Sequence, residues 1–311
     1  MYYPKDFIQT AEGLVFAVVA EGIEEGKILC FLRYQQTASG WQKLDTPDAN
    51  ALLASHTPDY RYYSLLKDTH CHAASIASVT HHFQPRQRLQ QLLLQPTNDP
   101  VIQDLLCFVR LLQQHAIDIS AIGVTGSLLI GAQQPSSDID LVFYDRHVFQ
   151  QTRQLVQELI AQQQLQTLSN EDWLEAYQRR GCEFSFSDYV WHEQRKANKV
   201  MINGRKVDLS LLIINVAIDE TPFKKLGAVT RTFNVSDASL AYDYPAIFKV
   251  AADDVDYIVC FTATYTGQAI MDEWIEVAGQ LEVAENGTRR IVVGASREAQ
   301  GEYIKVIEPN A

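Results

Sequence analysis

Two aspartates, Asp138 and Asp140, stand two residues apart at the head of an otherwise apolar run, Ile139 and Leu141 to Tyr144. Such a run reads as a strand, and side chains two apart on a strand leave the same face. Two carboxylates on one face of a buried strand are costly unless something neutralises them. A divalent cation is the simplest neutraliser, since Mg²⁺ takes carboxylate oxygens and fills its remaining shell with phosphate and water. Upstream, Ile119 to Val124 reads as an apolar strand, Gly126-Ser127 as a turn, Leu128 to Ala132 as a short helix and Gln133 to Ser137 as a polar turn. A glycine turn opening a helix exposes backbone N–H groups and the positive helix end, an anion site to which Ser127 adds a hydroxyl. This strand–turn–helix–strand unit is therefore expected to set a phosphate cradle beside a metal-binding edge. Singly, Asp-x-Asp and Gly-Ser are common at strand edges and turns; their pairing in this context carries the reading.

Gly126-Ser127, a spacer, then Asp138-Ile139-Asp140 resembles the signature of the DNA polymerase β-type nucleotidyltransferase superfamily in its minimal form. The chain departs from it at Leu128 and Leu129, where small members often carry a basic residue. The resemblance implies a third metal carboxylate, on a strand beside the Asp-x-Asp strand. Lys199 to Ile202 and Lys206 to Ile214 read as strands around Asn203-Gly204, a strong hairpin signal. On the second of them Asp208 alternates with Val207 and Leu209, which puts it in the right place.

The resemblance further implies transfer of a nucleoside monophosphate from an NTP such as ATP to an acceptor hydroxyl. Asp138, Asp140 and Asp208 would hold Mg²⁺ or Mn²⁺ in a two-metal mechanism. Gly126 and Ser127 would hold the nucleotide's phosphates. Arg195, Lys196, Lys199 and Arg205 are further nucleotide-binding candidates, the planar guanidinium being suited to bidentate contact; a solvated basic face accounts for the same four equally well. Trp191, His192, Arg195 and Lys196 together resemble an uncharacterised archaeal and bacterial subgroup that pairs this core with an N-terminal hairpin region and a C-terminal β module. The alternative is a non-catalytic nucleotide-binding or interaction protein that keeps the fold.

Composition sets the frame. A chain of 311 residues has room for two or three domains, and its 47% hydrophobic and 21% charged residues are ordinary globular values. No apolar run is long enough to span a membrane, and the start, MYYPKDFIQT, lacks the regions of a signal peptide. Five scattered cysteines without a Cys-x-x-Cys suit a reducing cytoplasm. A net charge of −12 argues against a non-specific grip on long nucleic acid. The charge is uneven, though. Seven basic residues against three acids lie between Arg179 and Lys206, and eight acids with no Lys or Arg between Ala251 and Asn286. A phosphate-bearing ligand is drawn to the former.

The expected architecture is mixed, α/β in the broad sense (α+β), in three parts. Residues 1–95 form a small α+β region: a hairpin over 13–34, a short helix from Asp45 to Ser55 and a strand from Tyr60 to Leu66. Within it, His70, Cys71, His72, His81 and His82 raise the question of zinc, although their spacing fits no zinc pattern. Residues 96–222 form the nucleotidyltransferase core, whose first helix has Asp99 as cap and Pro100 in its first turn. Helices follow the aspartate strand from about His147 to Gln164, Asn170 to Arg179 and Asp188 to Lys196. Residues 223–311 turn to β (AVTRTFNV, AIFKVA, DYIVCFTATY, WIEVAGQLEV, RRIVVGAS), a small barrel with an oligonucleotide-binding look. Its acidity speaks against a bare nucleic-acid groove and favours a structural or partner-docking module, with Arg231, Arg289, Arg290 and Arg297 as a local exception.

Overall fold

A computed structural model describes residues 1–65, 68–214, 221–294 and 300–307; Leu66, Arg297 and the end of the RRIVVGAS segment lie outside these. The chain is a mixed α/β protein whose described residues form six α-helices and three sheets. Each sheet falls within one of the three expected parts. By contact, the chain divides into two compact units, Met1–Gln166 with Val200–Asp219 and Thr167–Lys199 with Glu220–Ala311. The N-terminal sheet and the aspartate-bearing sheet thus share one unit.

In that first unit, β1 (Phe7–Thr10), β2 (Leu14–Val18) and β3 (Lys27–Thr37) run antiparallel. They are joined by β4 (Gly40–Lys43), β5 (Arg61–Ser64), β6 (Thr69–Ser75) and β7 (Val79–Phe83) in a seven-stranded sheet of order β5-β6-β3-β2-β1-β7, with β4 on β3. Helix α1 (Thr46–His56) starts where expected, because Asp45 accepts the Asp48 N–H at 2.8 Å and Pro47 sits in the first turn. Strand alternation gives this sheet two apolar faces. Ile8, Leu14, Phe16, Ile28 and Leu32 cluster with Leu53 of α1. Phe7, Val15 and Tyr34 of the opposite face cluster with Leu129 and Ile130.

The histidine-rich stretch is divided by this topology. β6 carries His70, Cys71 and His72, β7 carries His81 and His82, and three strands separate them, roughly 19 Å at the usual strand spacing. His72 is a core residue. Its Nδ1 accepts the Leu32 N–H at 3.1 Å, so the proton sits on Nε2, 2.8 Å from Asn50 Oδ1. His82 instead meets Asp6 at 2.8 Å.

Helix α2 (Pro85–Leu94) leads to α3 (Pro100–Gln114), where Asp99 accepts the Val101 and Ile102 N–H groups at 2.8 and 3.2 Å. Ile102, Leu105, Leu106, Val109 and Leu112 are all buried, as the helical spacing requires. The expected strand over Ile119–Val124 is shorter. Asp118 binds the Ser120 N–H at 2.9 Å and winds Ile119–Ala121 into a 3₁₀ turn, leaving β8 (Ile122–Thr125). A Cβ on Gly123 would stand 2.7 Å from the Arg86 nitrogen, so β8 packs directly under the start of α2.

Next come β9 (Ile139–Phe143), α4 (Arg146–Ala161), α5 (Asn170–Arg180) and α6 (Phe186–Lys196), then β10 (Lys199–Ile202) and β11 (Arg205–Leu211). Asn203 and Gly204 both take positive φ, 50° and 77°, and close the β10–β11 hairpin as expected. The second sheet has the order β10-β11-β9-β8.

The second unit holds α5, α6 and six strands: β12 (Phe223–Leu240), β13 (Ala246–Val250), β14 (Tyr257–Cys260), β15 (Trp274–Ala284), β16 (Arg289–Val293) and β17 (Tyr303–Ile307). Hydrogen bonding runs β12-β13-β14-β16-β15 and returns from β15 to β12, so five strands close a ring and β17 flanks β15. Its core includes Phe233, Phe248, Ile258, Ile275 and Ile291, with Phe184 packed among them. None of the five cysteines is in a disulfide, and no helix among the described residues is long and apolar enough to cross a membrane.

His72 and, in the second unit, His192 are held neutral. Burial lowers both pKa values from 6.5 to about 4. The unfolded chain takes up protons below pH 6.5 that these two native imidazoles refuse until about pH 4. Stability is therefore expected to fall between pH 6.5 and 4, by at most about 3 kcal/mol per site, and these two sites add no further loss below. Urea midpoints measured at pH 7 and pH 5 check this. His72→Gln, whose amide can serve both partners, should show a shallower drop than wild type; an equal drop contradicts the assignment.

Candidate metal and nucleotide site

The aspartates come together through strand register. β9 pairs in parallel with β11 so that Asp140 faces Asp208, and antiparallel with β8 so that Asp140 also faces Thr125. Two residues earlier, Asp138, just before β9, lies beside Lys206 of β11, whose Nζ is ion-paired with Asp138 Oδ2. The same Nζ lies 4.0 Å from Asp208 Oδ2. Like charges opposite one another repel, by on the order of 3 kcal/mol at 5 Å and an effective dielectric near 20. Burial raises the pKa of the Asp140 carboxyl, the Asp208 carboxylate adds to the rise, and the Lys5 ammonium opposes it. Asp208 Oδ1 is buried without a hydrogen-bond partner.

Gly126 is required twice over. Its φ is +67°, and a Cβ there would stand 2.3 Å from Asp140 Oδ2, so the Asp140 carboxylate rests on the Gly126 backbone. The expected helix after it is not present. Gly126–Leu129 is a four-residue 3₁₀ turn. Arg88 Nε donates to the Leu128 carbonyl at 3.0 Å, the Ala132 N–H to the Ser127 carbonyl at 2.9 Å, and Gly131 turns away at φ 70°. Carbonyls that would propagate a helix are thus taken by other donors. The expected anion site is thus without a helix dipole and would have only local N–H groups and the half-buried Ser127.

The four basic candidates are placed as follows. Arg205 Nε binds Asp104 Oδ2 at 2.7 Å, and its Nη1 donates to the carbonyls of Pro135 and Ser137 at 2.8 and 2.7 Å. It therefore holds the polar turn that delivers Asp138. Arg195, Lys196 and Lys199 belong to the second unit. There Arg195 pairs with Glu273 at 2.5 Å, and Lys196, only 1% exposed, pairs with Glu193 at 2.6 Å. Lys199 pairs with the same Glu193. Burial lowers the Lys196 pKa to about 8, against the pull of Glu193. The basic segment is thus largely neutralised by carboxylates of its own unit.

Three contributors were not singled out from sequence. Lys206 pairs with Asp138. Lys5, at φ 76°, is tied to the end of β8 by the Thr125 hydroxyl, which donates to its carbonyl at 2.8 Å. Tyr34 lies within the field of Asp140, its phenol pKa raised by burial and further by that carboxylate. Lys5 comes from the turn before β1 and Tyr34 from β3, and nothing local in sequence marks them as neighbours of Asp140.

The donor set suits a hard divalent cation: three carboxylates on one sheet face, one with an unpartnered buried oxygen. Among the described residues, no three His, Cys, Asp or Glu side chains already surround one point. Instead Lys206 provides the positive charge between Asp138 and Asp208.

Two substitutions separate backbone strain from charge strain. Gly126→Ala forces alanine into left-handed φ and pushes Asp140 aside, and should cost at least about 1 kcal/mol. Asp140→Asn removes a disfavoured charge at constant shape, and should raise the Tm in EDTA by a few degrees. Calorimetry of both variants checks this; a lower Tm for Asp140→Asn contradicts the like-charge account.

The chain is 28% identical to an uncharacterized protein, MJ1086, of Methanocaldococcus jannaschii over 333 aligned positions, covering 97% of this chain and 98% of that one. No family model matches the chain. No solved structure matches it either.

Proposed function

We propose that the protein is a metal-dependent nucleotidyltransferase of the DNA polymerase β-like type, moving a nucleoside monophosphate from an NTP to an acceptor hydroxyl. The observation that carries this reading is the register that puts Asp208 opposite Asp140, with Asp138 two residues away on the same face. A structural strand acid has no need of a second carboxylate facing it. Mg²⁺ or Mn²⁺ held by these three would neutralise triphosphate charge and lower the pKa of the acceptor hydroxyl. Asp138, Asp140 and Asp208 are the metal-holding and catalytic residues. Gly126 keeps Asp140 in place and, with Ser127, offers N–H and hydroxyl donors to phosphate. Arg205 positions the turn before Asp138. Catalysis of this type is positioning plus charge neutralisation, so no nucleophilic side chain is required.

The acceptor is a small molecule, a protein or a locally bound RNA; the net charge of −12 weighs against long nucleic acid. We assign the acidic strand ring to docking a protein partner. In it, Arg231 is paired with Asp254, and Arg290 with Glu282. Five cysteines outside any disulfide support a cytoplasmic setting.

A second reading has one observation in its favour. The Lys206 ammonium stands among the carboxylates, as in a non-catalytic nucleotide-binding or interaction protein that keeps the fold and dispenses with metal.

Pyrophosphate release from each of the four NTPs, with Mg²⁺ and then Mn²⁺, separates the two. The enzyme reading predicts release by wild type and at least about a 100-fold loss in Asp140→Asn. Where no acceptor is present, nucleotide binding that needs both metal and Asp140 is the expected result. Absence of metal-dependent binding of any NTP removes the enzyme reading and leaves the second.

A further inference from the structure

We propose that Lys206 is a built-in cation of the aspartate site, occupying the position that a divalent ion takes and leaving it when the ion binds. The inference rests on the metal-site reading above and adds a means of regulation to it. Three carboxylates on one sheet face bring three negative charges to a half-buried surface. The Lys206 side chain, 14% exposed, is ion-paired with Asp138, and its Nζ is 4.0 Å from Asp208. One ammonium therefore serves the two carboxylates that flank the site from neighbouring strands.

Register makes this placement obligatory. β11 runs parallel to β9, so the residue two before Asp208 must lie beside the residue two before Asp140. Lys206 is consequently held at Asp138 by the same pairing that sets Asp208 against Asp140. A divalent ion held by Asp138 and Asp208 would compete with the ammonium that stands between them, since two cations close together on the same carboxylates repel. Metal binding and release of Lys206 are then one exchange. The cost of removing Lys206 enters the apparent metal affinity, which makes occupancy depend on the cation concentration at which the exchange tips. Lys206 also stabilises the metal-free sheet, by neutralising carboxylates that would otherwise repel.

Lys5 provides the control. Its charge acts on Asp140, yet it comes from the segment before β1 and not from the paired β9 and β11. Removing any nearby positive charge tightens cation binding somewhat through the general field. Removing a competitor from the site itself tightens it much more.

The experiment is titration of the full chain with Mn²⁺, reading free ion by electron paramagnetic resonance. Wild type, Lys206→Met, Lys206→Arg, Lys5→Met and Asp140→Asn are compared, each checked for folding by its thermal transition. Lys206→Met should bind Mn²⁺ about tenfold or more tightly than wild type, the scale of a close charge pair. Lys5→Met should gain far less, Lys206→Arg should stay near wild type, and Asp140→Asn should lose binding. In EDTA, Lys206→Met should also melt below wild type, and Mn²⁺ should reverse the difference. If Lys206→Met destabilises too far, Lys206→Gln serves in its place. Equal gains from Lys206→Met and Lys5→Met, or no gain from Lys206→Met, overturn the exchange while Asp140-dependent binding preserves the metal site. Failure of every variant to bind Mn²⁺ overturns both.

Discussion

The parallel pairing of β9 with β11 places two carboxylates of like charge face to face, and much of the first unit can be understood as supporting that pair. A one-residue slip of β11 would carry Asp208 to the buried face and Val207 to the open one. The alternation Val207, Leu209, Leu211 against Asp208 and Ser210 prevents it, because the apolar three are buried. The hydrophobic register that stabilises the sheet therefore also enforces an electrostatic strain. Lys206 and Lys5 offset that strain, and the Gly126 backbone leaves room for the Asp140 carboxylate. Sites that hold unfavourable charge at the expense of stability are characteristic of function rather than of folding alone.

Residues 1–95 gain a physical role in this arrangement. One face of their sheet is closed by α1, and the other presses Phe7, Val15 and Tyr34 against Leu129 and Ile130, immediately after the Gly126-Ser127 turn. The turn is too short to be a helix with its own hydrogen-bonded ladder, so its shape is imposed from outside. Arg88 and the apolar contacts supply that support. The N-terminal sheet acts as the platform that fixes the turn and delivers Lys5 and Tyr34 to the neighbourhood of Asp140.

Local chemistry was legible in the sequence. Asp99 caps the helix it precedes and Asn203-Gly204 closes its hairpin, while strand alternation together with the family resemblance pointed to Asp208 as the third carboxylate, and the parallel register sets it opposite Asp140. What escaped is long-range. Arg205 meets Asp104, 101 residues away, Lys206 meets Asp138 across 68, and Arg195 meets Glu273 across 78. No periodicity or cap encodes such partners, so a basic segment that looks poised for phosphate is mostly satisfied by acids, Glu193 within it and Asp104, Asp138 and Glu273 outside it. The histidine cluster fails for the same reason in reverse: neighbours in sequence were carried to opposite sides of β3, β2 and β1 by the order in which the strands pair. The 3₁₀ turn at Gly126–Leu129 was missed because the donors that end it, Arg88 and Ala132, act through tertiary contacts and a local i+5 closure rather than a breaker residue at its start.

Asp138, Asp140 and Asp208 are proposed to form one cation site. Crystals of the full chain soaked in Mn²⁺ and recorded at the manganese absorption edge test it most directly. An anomalous peak is expected within coordinating distance of carboxylate oxygens from all three residues, with the Lys206 ammonium moved away from Asp138. Saturating Mn²⁺ that leaves Lys206 on Asp138, with no peak on this sheet face, would contradict it.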